Sequence, residues 1–302
     1  GGAARRSRRR GVSVSVSASA AAAGTSLDAL LGWASDELAG AGIGSARSDA
    51  ALLIGHVLGL GRGEVEAKAV IAAPVAASQT AEILRLVDRR ARREPLQHIL
   101  GVAPFRGLAL QVGPGVFVPR PETETVAQYA IDALRARPSA EPLAVDLGSG
   151  SGALALALAT EVPHARVIAV EKTPETVPWT RRNVERFGDG RVRVVVADLA
   201  DALPELVAAV DVVVSNPPYV PERALPREPE VRLFDPPEAL YSGTDGLDAM
   251  RALAATALRL LIPGGTLVVE HGEELIKSEL AELIEPSATE REEVAGFLAG
   301  AV

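Results

Sequence analysis

Leu143-Ala-Val-Asp-Leu-Gly-Ser-Gly-Ser-Gly152 decides the fold of this 302-residue chain. Its first five residues predict a buried strand, and its alternating glycines permit a tight turn into a helix that begins at Ala153. The N-terminus of such a helix presents unpaired N–H groups and the positive end of the helix dipole to a ligand. The stretch therefore predicts an α/β domain with a nucleotide-type cofactor against the turn. The residues predicted to bind this cofactor are Gly148, Ser149, Gly150, Ser151 and Gly152.

Two further predicted strands end next to acidic residues. The strand Arg166–Val170 ends in Glu171, whose carboxylate suits the two hydroxyls of a ribose and disfavours a phosphorylated ribose. The strand Val192–Ala197 is followed by Asp198, and we expect Asp198 and the backbone of Leu199 to border an adenine. The glycine pattern fits nicotinamide-dependent enzymes as well as methyltransferases, so by itself it leaves the cofactor open between the two.

A third signal follows the apolar strand Val210–Ser215, which runs directly into Asn216-Pro-Pro-Tyr219. The prolines fix φ near about −65° and remove two backbone donors, so the turn holds its polar groups in one arrangement. The Asn216 oxygen and the Pro217 carbonyl can each accept a hydrogen from an NH2 group while Tyr219 stacks on its plane. This favours a methyltransferase over a nicotinamide enzyme; a plain strand ending in a proline turn is the alternative. Asn216, Pro217 and Tyr219 are the predicted catalytic residues, Pro218 completes the substrate site, and Asn216 also borders the cofactor.

Several stretches carry a family resemblance, in order and over roughly residues 26 to 272. The chain resembles the release-factor glutamine N5-methyltransferases. The stretches that carry the resemblance are Val116–Glu124, Asp146–Gly152 and Asn216–Tyr219, together with Glu94–Gly101, Phe105, Pro236–Leu240, Gly243–Leu247, Pro263–Gly265 and Glu270–Gly272.

The resemblance implies S-adenosylmethionine as the cofactor and a class I methyltransferase sheet of the Rossmann-like type. It implies transfer of a methyl group to the side-chain amide nitrogen of the glutamine in the Gly-Gly-Gln motif of class I peptide-chain release factors, in the cytoplasm. For an in-line methyl transfer the protein mainly has to align the two reactants, and it has little need to supply a catalytic group of its own. We therefore expect no metal and no dedicated general base. The four histidines, at 56, 98, 164 and 271, form no recognisable constellation.

The predicted organisation has four parts. Residues 1–24 are a basic leader whose composition favours disorder; a transit peptide, a nucleic-acid arm and sequence upstream of the natural start are the interpretations left open. Residues 25–100 are a helical domain that docks the substrate, with a helix capped at Thr25–Asp28 and further helices at Ala46–Leu58 and Thr80–Arg93. Its arginines between 89 and 93 are either a contact with the partner or a solvated face. Residues 101–120 form a β-hairpin linker, and 121–302 the methyltransferase domain.

The methyltransferase domain is predicted to contain five parallel strands with helices on both faces. The fifth is expected at Gly265–Glu270, and the long segment Val220–Gly246 is expected to cover the substrate. Arg120–Glu124 is interpreted as a loop over the mouth of the site, with a plain helix N-terminus as the alternative. Members of the family finish with an antiparallel strand pair, whereas residues 273–302 resemble acidic helix. That final pair is therefore uncertain.

The composition of the chain limits the classes of function that it can have. The chain is 48% hydrophobic, contains no cysteine, and has no apolar run long enough to span a bilayer. Its net charge is −8, so without the five arginines of residues 1–24 the remainder carries −13. Such an acidic body is not expected to bind nucleic acid stably or to insert into a membrane. Two rivals remain: a methyltransferase acting on exocyclic amino groups of nucleic acid (adenine N6 or guanine N2), and a non-catalytic partner-binding protein.

Overall fold

The computed structural model describes residues 25–271, and the chain divides into two compact units between Leu100 and Gly101. The first unit is helical. Its elements are β1 (Thr25–Ser26), α1 (Leu27–Gly40), α2 (Ala46–Leu58), α3 (Arg62–Val70), β2 (Pro74–Val75), α4 (Ala77–Ala91) and α5 (Leu96–Leu100). An aliphatic core holds these helices together, with Leu31, Leu53, Ile54 and Ile83 fully buried.

Helix starts in the first unit depart from the prediction. The Ser26 side chain makes no capping hydrogen bond; the first helical N–H, of Leu27, instead donates to the Ala73 carbonyl at 2.8 Å. Helix α4 begins three residues before Thr80, because the Gln79 side chain accepts a hydrogen bond from the Ala76 N–H. The N–H groups at these two helix starts thus donate to a carbonyl that is distant in sequence and to a side chain inside the helix. They do not donate to the polar caps that the sequence predicts.

The arginines between 89 and 93 have partners inside the first unit. Arg89 pairs with Glu94, Arg90 forms a buried ion pair with Asp49 at 2.8 Å, and Arg92 pairs with Asp88. Arg93 donates to the Gly42 carbonyl at 2.9 Å. These contacts favour a structural role for the cluster over a role in binding a partner.

The second unit is an α/β domain preceded by a hairpin. Its elements are β3 (Val102–Phe105), β4 (Leu108–Gln111), α6 (Thr123–Arg135), β5 (Leu143–Leu147), α7 (Ala153–Glu161), β6 (Arg166–Glu171), α8 (Val177–Phe187), β7 (Val192–Val196), β8 (Val210–Ser215), α9 (Pro229–Phe234), a 3₁₀ turn (Pro237–Ala239), α10 (Asp248–Leu260) and β9 (Leu261–Val269). Strands β3 and β4 pair in antiparallel register, from Val102 opposite Gln111 to Phe105 opposite Leu108.

The central sheet has the order β7-β6-β5-β8-β9, and every neighbouring pair is parallel. The chain moves outward from β5 through β6 to β7, then crosses back to β8 on the other side of β5. The strand order therefore reverses between β5 and β8. In open α/β sheets a crevice forms beyond the carboxyl ends of the strands at such a reversal. The glycine turn after β5 and Asn216 after β8 both lie at this point.

All five parallel strands are confirmed, and the largest difference lies in β9. It begins at Leu261, four residues before the predicted start, and Val210 pairs with Leu261 while Val212 pairs with Thr266. The extra residues form a bulge around Pro263-Gly264-Gly265, with Gly264 at φ 71°. The predicted acidic helices at 273–302, the basic leader at 1–24 and the uncertain final strand pair lie outside the described residues.

Candidate functional site

A cavity of about 520 Å³ opens at the carboxyl ends of the central strands. Its volume lies within the ordinary range of small-molecule sites, about 300–1,000 Å³. Every predicted site residue except Gly152 lines it. These residues are Gly148, Ser149, Gly150, Ser151, Glu171, Asp198, Leu199, Asn216, Pro217, Pro218 and Tyr219. The structure thus brings together one stretch from each of four strand ends.

Gly148 and Gly150 leave space for a ligand. Both adopt left-handed φ values, 77° and 55°, and a Cβ built on either would meet no other atom within 4 Å. Gly152 differs, since its φ is 85° and a Cβ there would lie 3.5 Å from Leu156 and 3.6 Å from Thr180. Gly148 and Gly150 therefore form an open cradle, whereas Gly152 allows close packing of helix α7.

The backbone donors of the glycine turn are used differently from the prediction. The N–H groups of Gly148 and Ser149 both donate to the Val170 carbonyl at 2.9 Å. The Gly150 N–H donates to Glu171, and the Gly152 N–H donates to the Ser149 carbonyl. Because four of the five N–H groups of this turn are bonded within the protein, they fix its shape and are not free anion-binding donors.

Helix α8 fixes the same turn from the other side, a feature that the sequence analysis missed. The Thr180 hydroxyl donates to the Gly150 carbonyl at 2.6 Å, and the Asn183 side chain donates to the Ser151 carbonyl at 2.9 Å. Asn183 also exchanges two hydrogen bonds with the backbone of Gln111 in β4. Helix α8 thus joins the hairpin to the glycine turn. Two fully buried polar residues one helical turn apart are the signal that points to this role.

Glu171 ends β6 with its carboxylate at the cavity wall. Oε2 accepts from the Gly150 N–H at 2.9 Å and Oε1 accepts from the Thr173 N–H at 2.8 Å. A carboxylate oxygen has two acceptor positions, so each oxygen keeps one for a ligand hydroxyl. This geometry leaves room for a grip on two neighbouring ribose hydroxyls, which stays a prediction.

Asp198 and Leu199 follow β7 as predicted. Asp198 accepts from the Ala200 N–H at 3.0 Å and from the Lys172 ammonium at 3.1 Å, and the first of these hydrogen bonds is the main cause that lowers its pKa. Leu199 lines the cavity and belongs to a buried apolar cluster that includes Ala202 and Leu253. This leaves the Asp198 carboxylate and an apolar floor on that side of the cavity.

Asp146, inside β5, is fully buried below the glycine turn. Oδ2 accepts from the Ala155 N–H at 3.0 Å, while Oδ1 has no hydrogen-bond partner among the described residues. Burial, with a smaller contribution from the charge of Glu171, raises the pKa of Asp146 to about 7. A buried acid with a free oxygen is thus held beneath the cradle.

We expect the stability gained by Asp146→Asn to grow as pH rises. A folded-state pKa above the unfolded value means that the wild type loses stability as pH rises from about 4 through about 7, where the buried group must ionise. Asparagine does not titrate there. The midpoint of thermal unfolding of the variant minus that of the wild type should therefore be larger at pH 8 than at pH 5. A difference independent of pH would show that Asp146 does not titrate in this range.

The turn after β8 presents its polar groups to the cavity. The Ser215 hydroxyl anchors the end of the strand by donating to the Leu147 carbonyl at 2.5 Å. The Asn216 Nδ2 donates to the Thr123 hydroxyl at 3.3 Å, which leaves Oδ1 as the available acceptor of this amide. Tyr219 is partly buried at the cavity, and burial raises the pKa of its hydroxyl, so the ring stays neutral.

Gly246 allows the chain to pass close behind Tyr219. Its φ is 83°, and a Cβ built there would lie 2.6 Å from the Tyr219 carbonyl oxygen. The segment between residues 220 and 246 is tied back at both ends, since the Val220 N–H donates to the Leu240 carbonyl and the Ser242 N–H to the Val220 carbonyl. Residues 236 and 238–243 form a wall of the cavity, consistent with the expected covering segment.

Gly246→Ala should reduce kcat by about 10- to 100-fold, because the added methyl group displaces the turn that carries Tyr219 and small displacements of reacting groups are costly. Gly107→Ala is the matched control. Gly107 has a similar φ of 77°, but a Cβ there would meet nothing within 4 Å, so it adds the same backbone strain without the contact. Steady-state kinetics of both variants, with their melting temperatures, separates the two effects. Equal losses would mean that strain alone is responsible.

The predicted loop Arg120–Glu124 contributes one residue, Thr123, to the cavity wall, and the helix of the alternative interpretation begins at that same residue. Phe117, Pro119 and Thr123 line the cavity, while helix α6 begins at Thr123. Arg120 lies over the Phe117 ring and pairs with the buried carboxylate of Asp235 at 2.8 Å. This ion pair joins the stretch to the covering segment.

Between residues 25 and 271, no group of three or more His, Cys, Asp or Glu side chains is arranged to hold a metal ion. Over the same residues, no helix is both long and apolar enough to cross a membrane.

Comparison with known proteins identifies the family. Models of the PrmC N-terminal domain and of the methyltransferase small domain match residues 29–101 and 108–240. A release factor glutamine methyltransferase from Streptomyces coelicolor is 52% identical over 241 residues, which cover 80% of this chain and 83% of the relative. Relatives from other bacteria with 40–45% identity have the same name.

Two other matches have different names. A 4-amino-L-phenylalanine/4-methylamino-L-phenylalanine methyltransferase from Streptomyces pristinaespiralis is 43% identical over 79% of this chain and 80% of its own. Among solved structures, P. horikoshii TYW2 in complex with MeSAdo has a TM-score of 0.41 and 17% identity, over 61% of this chain and 57% of the other. Because the Streptomyces coelicolor enzyme matches at the highest of these identities and along most of both chains, the protein described here belongs to the release factor glutamine methyltransferase family.

Proposed function

We propose that this protein transfers a methyl group from S-adenosylmethionine to the side-chain amide nitrogen, N5, of the glutamine in the Gly-Gly-Gln motif of class I peptide-chain release factors. The relatives supply the substrate class. One structural observation favours an NH2 group as the group that receives the methyl. The Asn216 amide is oriented by Thr123 so that its oxygen remains as an acceptor at a cavity that also holds the cofactor cradle.

The residues around the cavity fit S-adenosylmethionine. Gly148 and Gly150 leave room that a side chain would fill, and Glu171 retains two acceptor positions for ribose hydroxyls. Asp198 and Leu199 line the same cavity, and their proposed role is to border the adenine. Bound there, S-adenosylmethionine supplies a methyl group that its sulfonium has already activated. No phosphate has to be held, which agrees with a glycine turn whose N–H groups are bonded internally.

The protein groups act mainly by orientation. An amide nitrogen is a poor nucleophile because its lone pair is delocalised into the carbonyl. The Asn216 oxygen and the Pro217 carbonyl each accept one N–H of the substrate, and alignment of this kind contributes up to about 7–11 kcal/mol. As positive charge develops on the nitrogen, both acceptors interact more strongly than in the ground state. The nitrogen exchanges one hydrogen for the methyl group, and the proton leaves to water.

The partner of this reaction is a protein, which we propose is docked by the helical unit at residues 25–100. The nucleic-acid alternative is disfavoured by charge, since the chain beyond residue 24 carries −13. This protein is therefore expected to bind release factors and not to form a stable complex with nucleic acid.

Transfer of label from S-adenosylmethionine to a purified class I release factor tests the proposal. We expect one methyl group per molecule, and none after the Gly-Gly-Gln glutamine is replaced by alanine. A DNA oligonucleotide and free 4-amino-L-phenylalanine serve as competing acceptors. Label that persists after the replacement would redirect the substrate to another residue, and label on 4-amino-L-phenylalanine alone would assign the chain to the activity of its Streptomyces pristinaespiralis relative.

A further inference from the structure

Glu270 is a buried carboxylate that the proposed mechanism does not use. It follows β9 directly, only 7% of its surface is exposed, and its Oε2 has no hydrogen-bond partner among the described residues. Its backbone N–H donates to the Ser215 carbonyl at 3.0 Å, which holds it beside the residue that precedes Asn216. A buried charge without full hydrogen bonding is costly, so this position calls for an explanation.

Thr123 lies between this carboxylate and the catalytic turn. Its hydroxyl accepts from Asn216 Nδ2 at 3.3 Å, so its own hydrogen is left to donate elsewhere. Both Thr123 and Asn216 face Glu270, and hydrogen bonding from each lowers the pKa of Glu270. Thr123 is itself 4% exposed, so water does not compete strongly for its hydroxyl. Thr123 thus contacts Asn216, and both side chains lie near the Glu270 carboxylate.

We propose that Glu270 and Thr123 are positioning residues for Asn216, and that the Glu270 charge, passed through the Thr123 hydroxyl, strengthens the Asn216 oxygen as an acceptor. The inference rests on the proposed function, because it assigns Asn216 to the acceptor NH2 group. A hydroxyl that donates to an anion becomes a better acceptor, and linked hydrogen bonds polarise one another. Polarisation of the Asn216 Nδ2–H group places more negative charge on Oδ1. This oxygen interacts with the positive charge that develops on the substrate nitrogen.

The charged groups around Glu270 set the direction of its titration. Burial is the largest cause and raises its pKa, and the charge of Glu122 raises it further, while Arg120 lowers it. The charge of Glu270 also raises the pKa of Tyr219, so these two groups lie near each other, and His271 is the chain neighbour of Glu270. Glu270 therefore ionises at a higher pH than an exposed glutamate, whose pKa is about 4.3. Below that raised pKa the charge is lost.

Kinetics of Thr123→Val and Glu270→Gln, alone and combined, test the inference. We expect each single variant to lower kcat by about 10- to 100-fold, as for other groups that orient a functional side chain, with KM for S-adenosylmethionine unchanged. The double variant should be no slower than the slower single one, because both changes break the same proposed series of hydrogen bonds. Thr123→Ser keeps the hydroxyl and should restore the rate. Thr125→Val, on the exposed side of the same helix, and Glu185→Gln, on the surface of α8, are matched controls that should leave the rate unchanged.

Two pH measurements complete the test. The kcat of the wild type should fall as pH drops through the raised pKa of Glu270, and this fall should be missing in Glu270→Gln. The melting temperature of Glu270→Gln relative to the wild type should rise with pH, because only the wild type must ionise a buried group. Singles whose effects multiply, or a Glu270→Gln variant with wild-type kcat and pH profile, would overturn the inference. A wild type inactive on every release factor would instead refute the proposed function.

Discussion

Asn216→Ala is expected to lower kcat by at least about 100-fold, comparable to the loss of a single group that stabilises a transition state. The variant loses the oxygen that accepts the substrate N–H, and it leaves the Thr123 hydroxyl without its donor. Because this interaction strengthens as charge develops on the nitrogen, the loss should appear in kcat more than in the KM for the release factor.

Cofactor binding separates this outcome from a general collapse of the site. The glycine cradle and Glu171 are held by hydrogen bonds that do not involve Asn216. Calorimetric titration with S-adenosylhomocysteine should therefore give a Kd close to that of the wild type. An Asn216→Ala variant with near-normal turnover would remove Asn216 from the catalytic role, whereas lost turnover together with lost cofactor binding would limit it to the cofactor site.

The positions of the strands were predictable because the apolar pattern of each strand reflects its own burial. Val210–Ser215 is fully buried on both faces, and such a strand appears in the sequence as a continuous apolar run that ends at a polar residue. Glu171, Asp198 and Asn216 each follow a run of this kind. Since parallel strands place their carboxyl ends at one edge of the sheet, residues far apart in the chain were expected to share one site.

Positions fixed by distant contacts were not predictable. The start of α1 depends on the carbonyl of Ala73, and the early start of β9 depends on a bulge opposite Val210. Neither partner is marked in the local pattern. Gly152 matches the glycine motif as well as Gly148 does, yet it packs against Leu156 and Thr180, a difference that only the folded chain shows.

The supporting residues of the site were missed for the same reason. Thr180 and Asn183 lie on a helix face that would ordinarily be apolar, and their partners at Gly150 and Ser151 are about thirty residues away, at sequence separations of 30 and 32. Glu270 follows an apolar strand, as Glu171 does, but the role that we propose for it depends on Thr123, which belongs to a different part of the chain. A polar residue at a buried position is the sequence signal that such cases share.

Glu171→Ala is expected to weaken cofactor binding by about 100-fold or more, because two hydrogen bonds to a charged group contribute roughly 1.5–3 kcal/mol each. The change also removes the acceptor of the Gly150 and Thr173 N–H groups, so the cradle loses a support as well as a ligand contact. At saturating S-adenosylmethionine kcat should recover most of its wild-type value, since the acceptor side of the cavity around Asn216 is intact. This pattern is the reverse of that expected for Asn216→Ala.

Glu171→Gln extends the argument, because it keeps the shape of the side chain. Either orientation of the new amide sets its NH2 group against a backbone N–H, of Gly150 or of Thr173, and so replaces one hydrogen bond by two facing donors. The variant should therefore lose nearly as much affinity as Glu171→Ala, while Glu185→Gln on the exposed side of α8 should bind like the wild type. Calorimetric titration with S-adenosylhomocysteine measures all three. If Glu171→Gln bound the cofactor normally, neither the charge nor the paired acceptors of Glu171 would be needed, and the ribose contact would have to be assigned to another residue of the cavity wall.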